Sequence, residues 1–141
     1  MSPEQVFAIA NPLAVVCWIL LALLPNRRWV TEGLTGVVVP AIFAMAYIAI
    51  VITMMPGASG NFSTLAGVSA LFANPWMLLA GWLHYLAFDL LIGTWEARDS
   101  VARGVPRWLL IPCLFLTLMF GPIGWLLYMA IRTFSGSPAR G

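Results

Sequence analysis

The chain contains no lysine, one histidine and two cysteines, and only 9% of its 141 residues are charged. Each shortage excludes a class. With 62% apolar residues and a mean hydropathy of +0.94, there is too little charge to coat a water-soluble globule, so the chain reads as an integral membrane protein. A net charge of +2, carried by arginine alone, is too small for a nucleic-acid surface, and no nucleic-acid partner is expected. Cys17 and Cys113 each lie within an apolar run and form no C-x-x-C, which makes them small buried hydrophobes rather than a disulfide or a metal pair. A single histidine cannot supply the ligand set of a di-iron membrane oxygenase or a two-histidine facial triad. Phosphate-binding glycine loops and Ser-His-Asp spacing are missing too, so neither metal nor cofactor is expected. Nothing before Arg27 is basic and no Ser- and Arg-rich leader precedes it, from which a retained first span and a bacterial inner-membrane protein are expected.

What is present is apolar length. Four runs, approximately Pro3 to Leu24, Leu34 to Met55, Trp76 to Trp95 and Trp108 to Ile131, approach or exceed the roughly 20 residues that cross a bilayer core. The expected fold is all-α, an integral membrane four-helix bundle in one transmembrane domain spanning residues 1–141. Ser2-Pro3-Glu4-Gln5 carries the signature of a capping box with proline in the first turn, and Asn11-Pro12 predicts a kink whose polar groups face protein. Between spans two and three, Phe62, Leu65, Val68 and Phe72 recur at helical spacing after Asn61, which predicts a short interfacial helix ended by Asn74-Pro75.

With four spans, Arg27, Arg28, Arg98, Arg103 and Arg107 fall on one side and Arg132 and Arg140 on the other. The positive-inside rule then places both termini outside the cytoplasm.

An ionisable group inside hydrocarbon is costly, which makes the third span the candidate site. There His84 and Asp89 stand among Trp82, Tyr85, Leu86 and Phe88. Trp82, Tyr85, Asp89, Gly93 and Glu96 form one helical stripe, with His84 on a neighbouring face about 140° away from Asp89. A neutral histidine offers one donor and one acceptor, and a protonated carboxyl in an apolar pocket is a usable acid, so the two are expected to border one cavity as an acid and a base. The alternative is that they only hold helices together. Glu96, Arg98, Asp99, Arg103 and Arg107 are expected to be solvated or to face headgroups, with the alternative that Glu96 extends the Asp89 stripe and feeds protons inward. In the fourth span, Phe120-Gly121-Pro122-Ile123-Gly124 leaves the Leu118 carbonyl without its helical partner and thins the helix, as where a cavity is lined or another helix approaches closely.

Trp82-Leu-His84-Tyr-Leu-Ala-Phe-Asp89-Leu90, followed by Asp99 and by Phe120-Gly121-Pro122-Ile123-Gly124, resembles the abscisic-acid-deficient-four family, whose plant members are associated with neoxanthin synthesis. The resemblance covers Gly81 to Arg132 best. It implies a cofactor-independent isomerase acting on a carotenoid-like lipid, with His84 and Asp89 as catalytic groups and Trp82, Tyr85, Phe120, Gly121 and Pro122 binding the substrate. The family pattern places an arginine where this chain has Thr94, and Arg98 one turn later is the expected substitute. Expected partners are membrane lipid, the carotenoid-like ligand, and other membrane proteins or further copies of the chain. The alternative function is a non-enzymatic pigment-binding or accessory subunit of a larger membrane complex, such as a photosynthetic one; a proton or small-solute carrier using Asp89 and Glu96 is a third reading.

Overall fold

Ser2 opens the first helix, α1 (Pro3–Leu23), by reciprocal capping: the Gln5 N–H donates to Ser2 Oγ and the Ser2 N–H donates to Gln5 Oε1, at 3.3 and 2.8 Å. The computed structural model describes residues 1–135. The second span is one continuous helix from Trp29 to Gly57. Its first part, Trp29–Val38, is π-helical, and the part from Val39 to Met54 (α2) is α-helical. Pro40 accounts for the change of pitch. It has no N–H for the Gly36 carbonyl and its ring would press on that oxygen, whereas a wider turn relieves the clash. In that wider turn the Val39 N–H reaches the Leu34 carbonyl, and Thr35 Oγ1 donates to the Val30 carbonyl at 2.9 Å.

The expected short helix is present as α3 (Leu65–Phe72), but Thr64 caps it, accepting from the Gly67 N–H at 3.0 Å. Asn61 instead accepts from the Ser63 and Thr64 N–H groups and shapes the preceding turn. Asn74 caps α4 (Pro75–Arg103) through the Trp76 and Met77 N–H groups, and Gly104, at φ 67°, ends it. At 29 residues, α4 is the central element: α1, α2 and α5 all pack on it, and its Leu83, Leu86, Leu90 and Ala97 are buried.

The fourth expected span is two helices, α5 (Arg107–Phe120) and α6 (Pro122–Phe134), joined by Gly121 at φ 51° and ψ −95°. The positive φ favours glycine, and Pro122 cannot continue α5. Gly121 rests against the Asp89 carboxylate, whereas Tyr128 and Arg132 both reach Asp99, at 2.8 Å each. Asp99 lies about 15 Å farther along α4 than Asp89, so α6 runs back beside α4 toward the end from which α5 started. Gly124 packs on the backbone of Cys113 and on Thr117, which lets the two arms close on each other. An α5 of 14 residues is about 21 Å long, short of the roughly 30 Å bilayer core.

The expectation of a four-helix bundle is therefore corrected. Three helices are long and apolar enough to cross a membrane, Pro3–Leu23, Trp29–Gly57 and Pro75–Arg103. The α5–α6 hairpin enters and leaves at one end, giving six α-helices among the described residues. The placement of both termini on one side is corrected with it: α1 begins at one end of the bundle and α6 finishes at the other. Arg132 joins Arg27, Arg28, Arg98, Arg103 and Arg107, so every described arginine lies at the same end. Arg140 lies outside the described residues.

Candidate functional site at the hairpin tip

Every member of the α4 stripe meets α1 or the hairpin. Trp82 Nε1 donates to Asn11 Oδ1 at 2.8 Å, so the polar group beside Pro12 does face protein. Gly93 supplies the flat surface on which the Trp18 ring lies, and a Cβ there would collide with that ring. Tyr85 Oη donates to the Leu118 carbonyl at 2.7 Å. This is the oxygen that Pro122 leaves without a helical donor, so a side chain from α4 supplies what the proline cannot.

Asp89 follows one turn after Tyr85. Its two oxygens lie 3.2 and 3.4 Å from where a Cβ on Gly121 would stand, so any side chain there would crowd the carboxylate as well as strain the backbone. Oδ2 is buried without a hydrogen-bond partner, and no arginine among the described residues pairs with Asp89. Tyr85 has a single hydroxyl proton and the Leu118 carbonyl takes it. The Tyr85 oxygen is thereby left as an acceptor beside Asp89.

Two turns farther along, Glu96 is fully buried, with 0% of its surface exposed. The expectation that it is solvated or faces headgroups is overturned: the same stripe that carries Asp89 turns Glu96 onto α5, where Thr117 Oγ1, also buried, donates to both carboxylate oxygens at 2.9 and 3.2 Å. The i, i+7 spacing from Asp89 carried this signal. Asp99 behaves differently from Glu96. It is held by Arg103, Arg132 and Tyr128, and Tyr128 also packs edge-on against Trp95. These contacts pin α6 to α4.

His84 stands apart from this group. It lies on the exposed flank of α4, its ring 4.7 Å from Phe88 and 5.8 Å from Tyr47 of α2. The structure does not bring His84 and Asp89 to one slot, because the turn between them directs one toward α2 and the other toward the hairpin. Of the expected binding residues, Trp82 stacks on Tyr85 at 5.3 Å and Gly121 meets Asp89, whereas Phe120 and Pro122 are exposed at the tip. Thr94 donates to Thr35 Oγ1 at 2.9 Å on the opposite flank, and Arg98 is exposed at the arginine-rich end, so neither reaches Asp89.

An apolar groove of about 310 Å³ runs between α1 and α4 in the half of the bundle that the hairpin leaves open. Pro3, Phe7, Pro75, Leu78 and Trp82 line it, and Trp82 connects it by stacking to Tyr85. A second apolar groove, of about 200 Å³, lies between α1 and α5 around Trp18 and Leu118.

Neither the curated proteins nor the solved structures contain a match to this chain. A family model does match it, over residues 5–128, which takes in α1 through the first half of α6 and so all of the stripe and the hairpin tip. By that match the chain belongs to the ABA DEFICIENT 4-like family.

Proposed function

We propose that the protein isomerises a carotenoid-like lipid without a cofactor, with Asp89 as the group that moves the proton. The observation that carries this is the buried, unpartnered Asp89 Oδ2 at the hairpin tip, next to a tyrosine oxygen free to accept. The family membership supports the substrate class: its plant members are associated with the conversion of an epoxy-carotenoid to an allenic alcohol. That reaction needs a proton delivered to the epoxide oxygen as the ring C–O bond opens, and a proton removed from a neighbouring carbon as the new double bond forms. Atoms and charge balance over the two transfers. One carboxyl can perform both, since the carboxylate left by the first transfer is the base for the second. Such a cycle creates no net charge, which suits a site where, among the described residues, no cation pairs with Asp89. The α1–α4 groove holds the apolar length of the lipid and Trp82 leads its end group to Tyr85.

Expression in a bacterium that accumulates epoxy-carotenoids, followed by chromatography of the pigments, tests this. A new isomeric pigment is expected with the natural chain and none with Asp89→Asn. An unchanged pigment profile with the natural chain would sink the proposal.

The largely apolar groove between α1 and α5 also favours a second reading, a pigment-holding subunit without chemistry. It predicts that Asp89→Asn retains bound pigment and full biological effect.

The orientation we propose puts the arginine-rich end in the cytoplasm, by the positive-inside rule. Single cysteines introduced at Ser2 and Ser135, in a chain with Cys17 and Cys113 replaced by alanine, should react with an impermeant thiol reagent from opposite sides. Labelling of both from one side would refute the re-entrant hairpin.

A further inference from the structure

We propose that Glu96 is the proton reservoir of the site: it and Asp89 form one coupled carboxyl pair that carries at most one negative charge, Glu96 returning through a bridging water the proton that Asp89 gives up. This deepens the reading of Asp89 as the proton-moving group and rests on it for its functional meaning. The coupling itself rests on geometry alone.

Asp89 and Glu96 occupy the same stripe of α4, two turns apart, and both face the hairpin. Their contact points there are closer than the helix spacing suggests. Glu96 meets Thr117 and Asp89 meets Gly121, and the Gly121 N–H donates to the Thr117 carbonyl at 2.8 Å, so the two contacts are one helical turn, roughly 5.4 Å, apart. The two carboxyls therefore face neighbouring turns of one helix, and a water seated between those turns would bridge them. Two ionised carboxylates this close in an apolar setting repel strongly, and the favoured arrangement keeps a proton on one of them.

Among the described residues no cation pairs with either carboxyl. Thr117 of α5 holds Glu96, with Cys113 of α5 and Tyr128 of α6 nearby, and Tyr85 and Gly121 adjoin Asp89. The nearby arginines Arg103 and Arg132 are both engaged by Asp99. A fully buried glutamate held only by a threonine hydroxyl contributes little to stability, since an apolar residue would fill the space at lower desolvation cost. As a proton store it has a use. The transfer is balanced: the Glu96 O–H bond breaks and an Asp89 O–H bond forms, with the water giving one proton as it accepts another and the negative charge moving from Asp89 to Glu96. For the second half of the cycle the relay runs back: Asp89 returns its proton through the water to Glu96 and, as the carboxylate, takes the substrate's carbon-bound proton, so both carboxyls are again neutral.

The full chain reconstituted in lipid, followed by infrared titration of its protonated carboxyl bands in H₂O and D₂O, reads this directly and needs no substrate. Two bands exchanging with solvent and vanishing in two linked steps are expected for the natural chain. In Asp89→Asn the Glu96 band should titrate in one simple step, and in Glu96→Gln the Asp89 band should do the same. A Glu96 titration identical in the natural chain and in Asp89→Asn would overturn the pair. Thr117→Ser should preserve the Glu96 band frequency and Thr117→Val should shift it, which provides a second readout if Glu96→Gln does not fold. If the titrations are coupled but no pigment is converted, the pair stands and the isomerase reading fails.

Discussion

The two flanks of α4 are built from the same apolar alphabet, yet they treat their ionisable groups in opposite ways. The flank toward α2 exposes His84 between two aromatic rings and offers it no specific partner. The flank toward the hairpin buries Glu96 and one carboxylate oxygen of the half-buried Asp89, and spends Tyr85 and Thr117 on hydrogen bonds across helices. Ionisability inside a span is therefore not enough to identify a site; what distinguishes the second flank is that another element has been shaped to receive the side chain. Gly121 and Gly124 do that shaping, one through its backbone and the other by letting α6 lie on α5.

The sharpest way to break this contrast is to remove one group from each flank. Asp89→Asn should lower pigment conversion by on the order of 10²-fold or more, the scale of a lost general acid or base, whereas His84→Ala should leave conversion within about a factor of a few of the natural chain, since a surface ring without a partner has no transition-state contact to lose. Pigment turnover in isolated membranes measures both. The reverse ranking would assign the chemistry to the α2 flank.

A smaller effect is expected from closing the space between the hairpin arms. Gly124→Leu places a side chain where Cys113 and Thr117 already sit, and overpacking of this kind costs about 1–3 kcal/mol or more. Thermal unfolding in detergent should show a clearly lower midpoint. An unchanged midpoint would mean that the arms are not in contact there. The mildest change is on the opposite flank. Thr94→Val removes the hydrogen bond to Thr35, and interhelical bonds of this type inside membranes average about 0.6 kcal/mol. A loss of several kcal/mol there would show that the π-helical segment depends on that one contact.

Much of this arrangement can be read from local chemistry. Ser2 and Gln5 announce their capping box, Asn74 and Pro75 mark the start of α4, and the Gly121-Pro122 break frees the Leu118 carbonyl that Tyr85 then satisfies. The stripe from Trp82 to Glu96 follows from helical periodicity alone. The return of α6 is a different matter. An apolar run from Trp108 to Ile131 has the length of one full span and also of two half-length helices, and periodicity does not separate them. Its direction is set by Asp99 reaching Tyr128 and Arg132, partners 29 and 33 residues away. The depth of Glu96 was hidden for the same reason: a glutamate near two arginines in sequence resembles a helix-end charge until the facing helix shows what covers it. The cap of α3 by Thr64 is a shift of a few residues, within the tolerance of any boundary drawn from sequence pattern, whereas the π-helical stretch before Pro40 is a change of helix type that apolar periodicity does not report.

The return of α6 also bears on how the chain enters a bilayer. With the arginine-rich end on the side of synthesis, the described segments that must pass to the far side outside a spanning helix are the first two residues and the stretch from Ala58 to Asn74, none of them charged. In that orientation the described guanidinium groups would stay where they are made, and the hairpin could insert last, from the same side, against a three-helix scaffold already in place. Its tip then meets Asp89 at the end of assembly, so the buried carboxyl is sealed only once the remainder of the protein has folded around it.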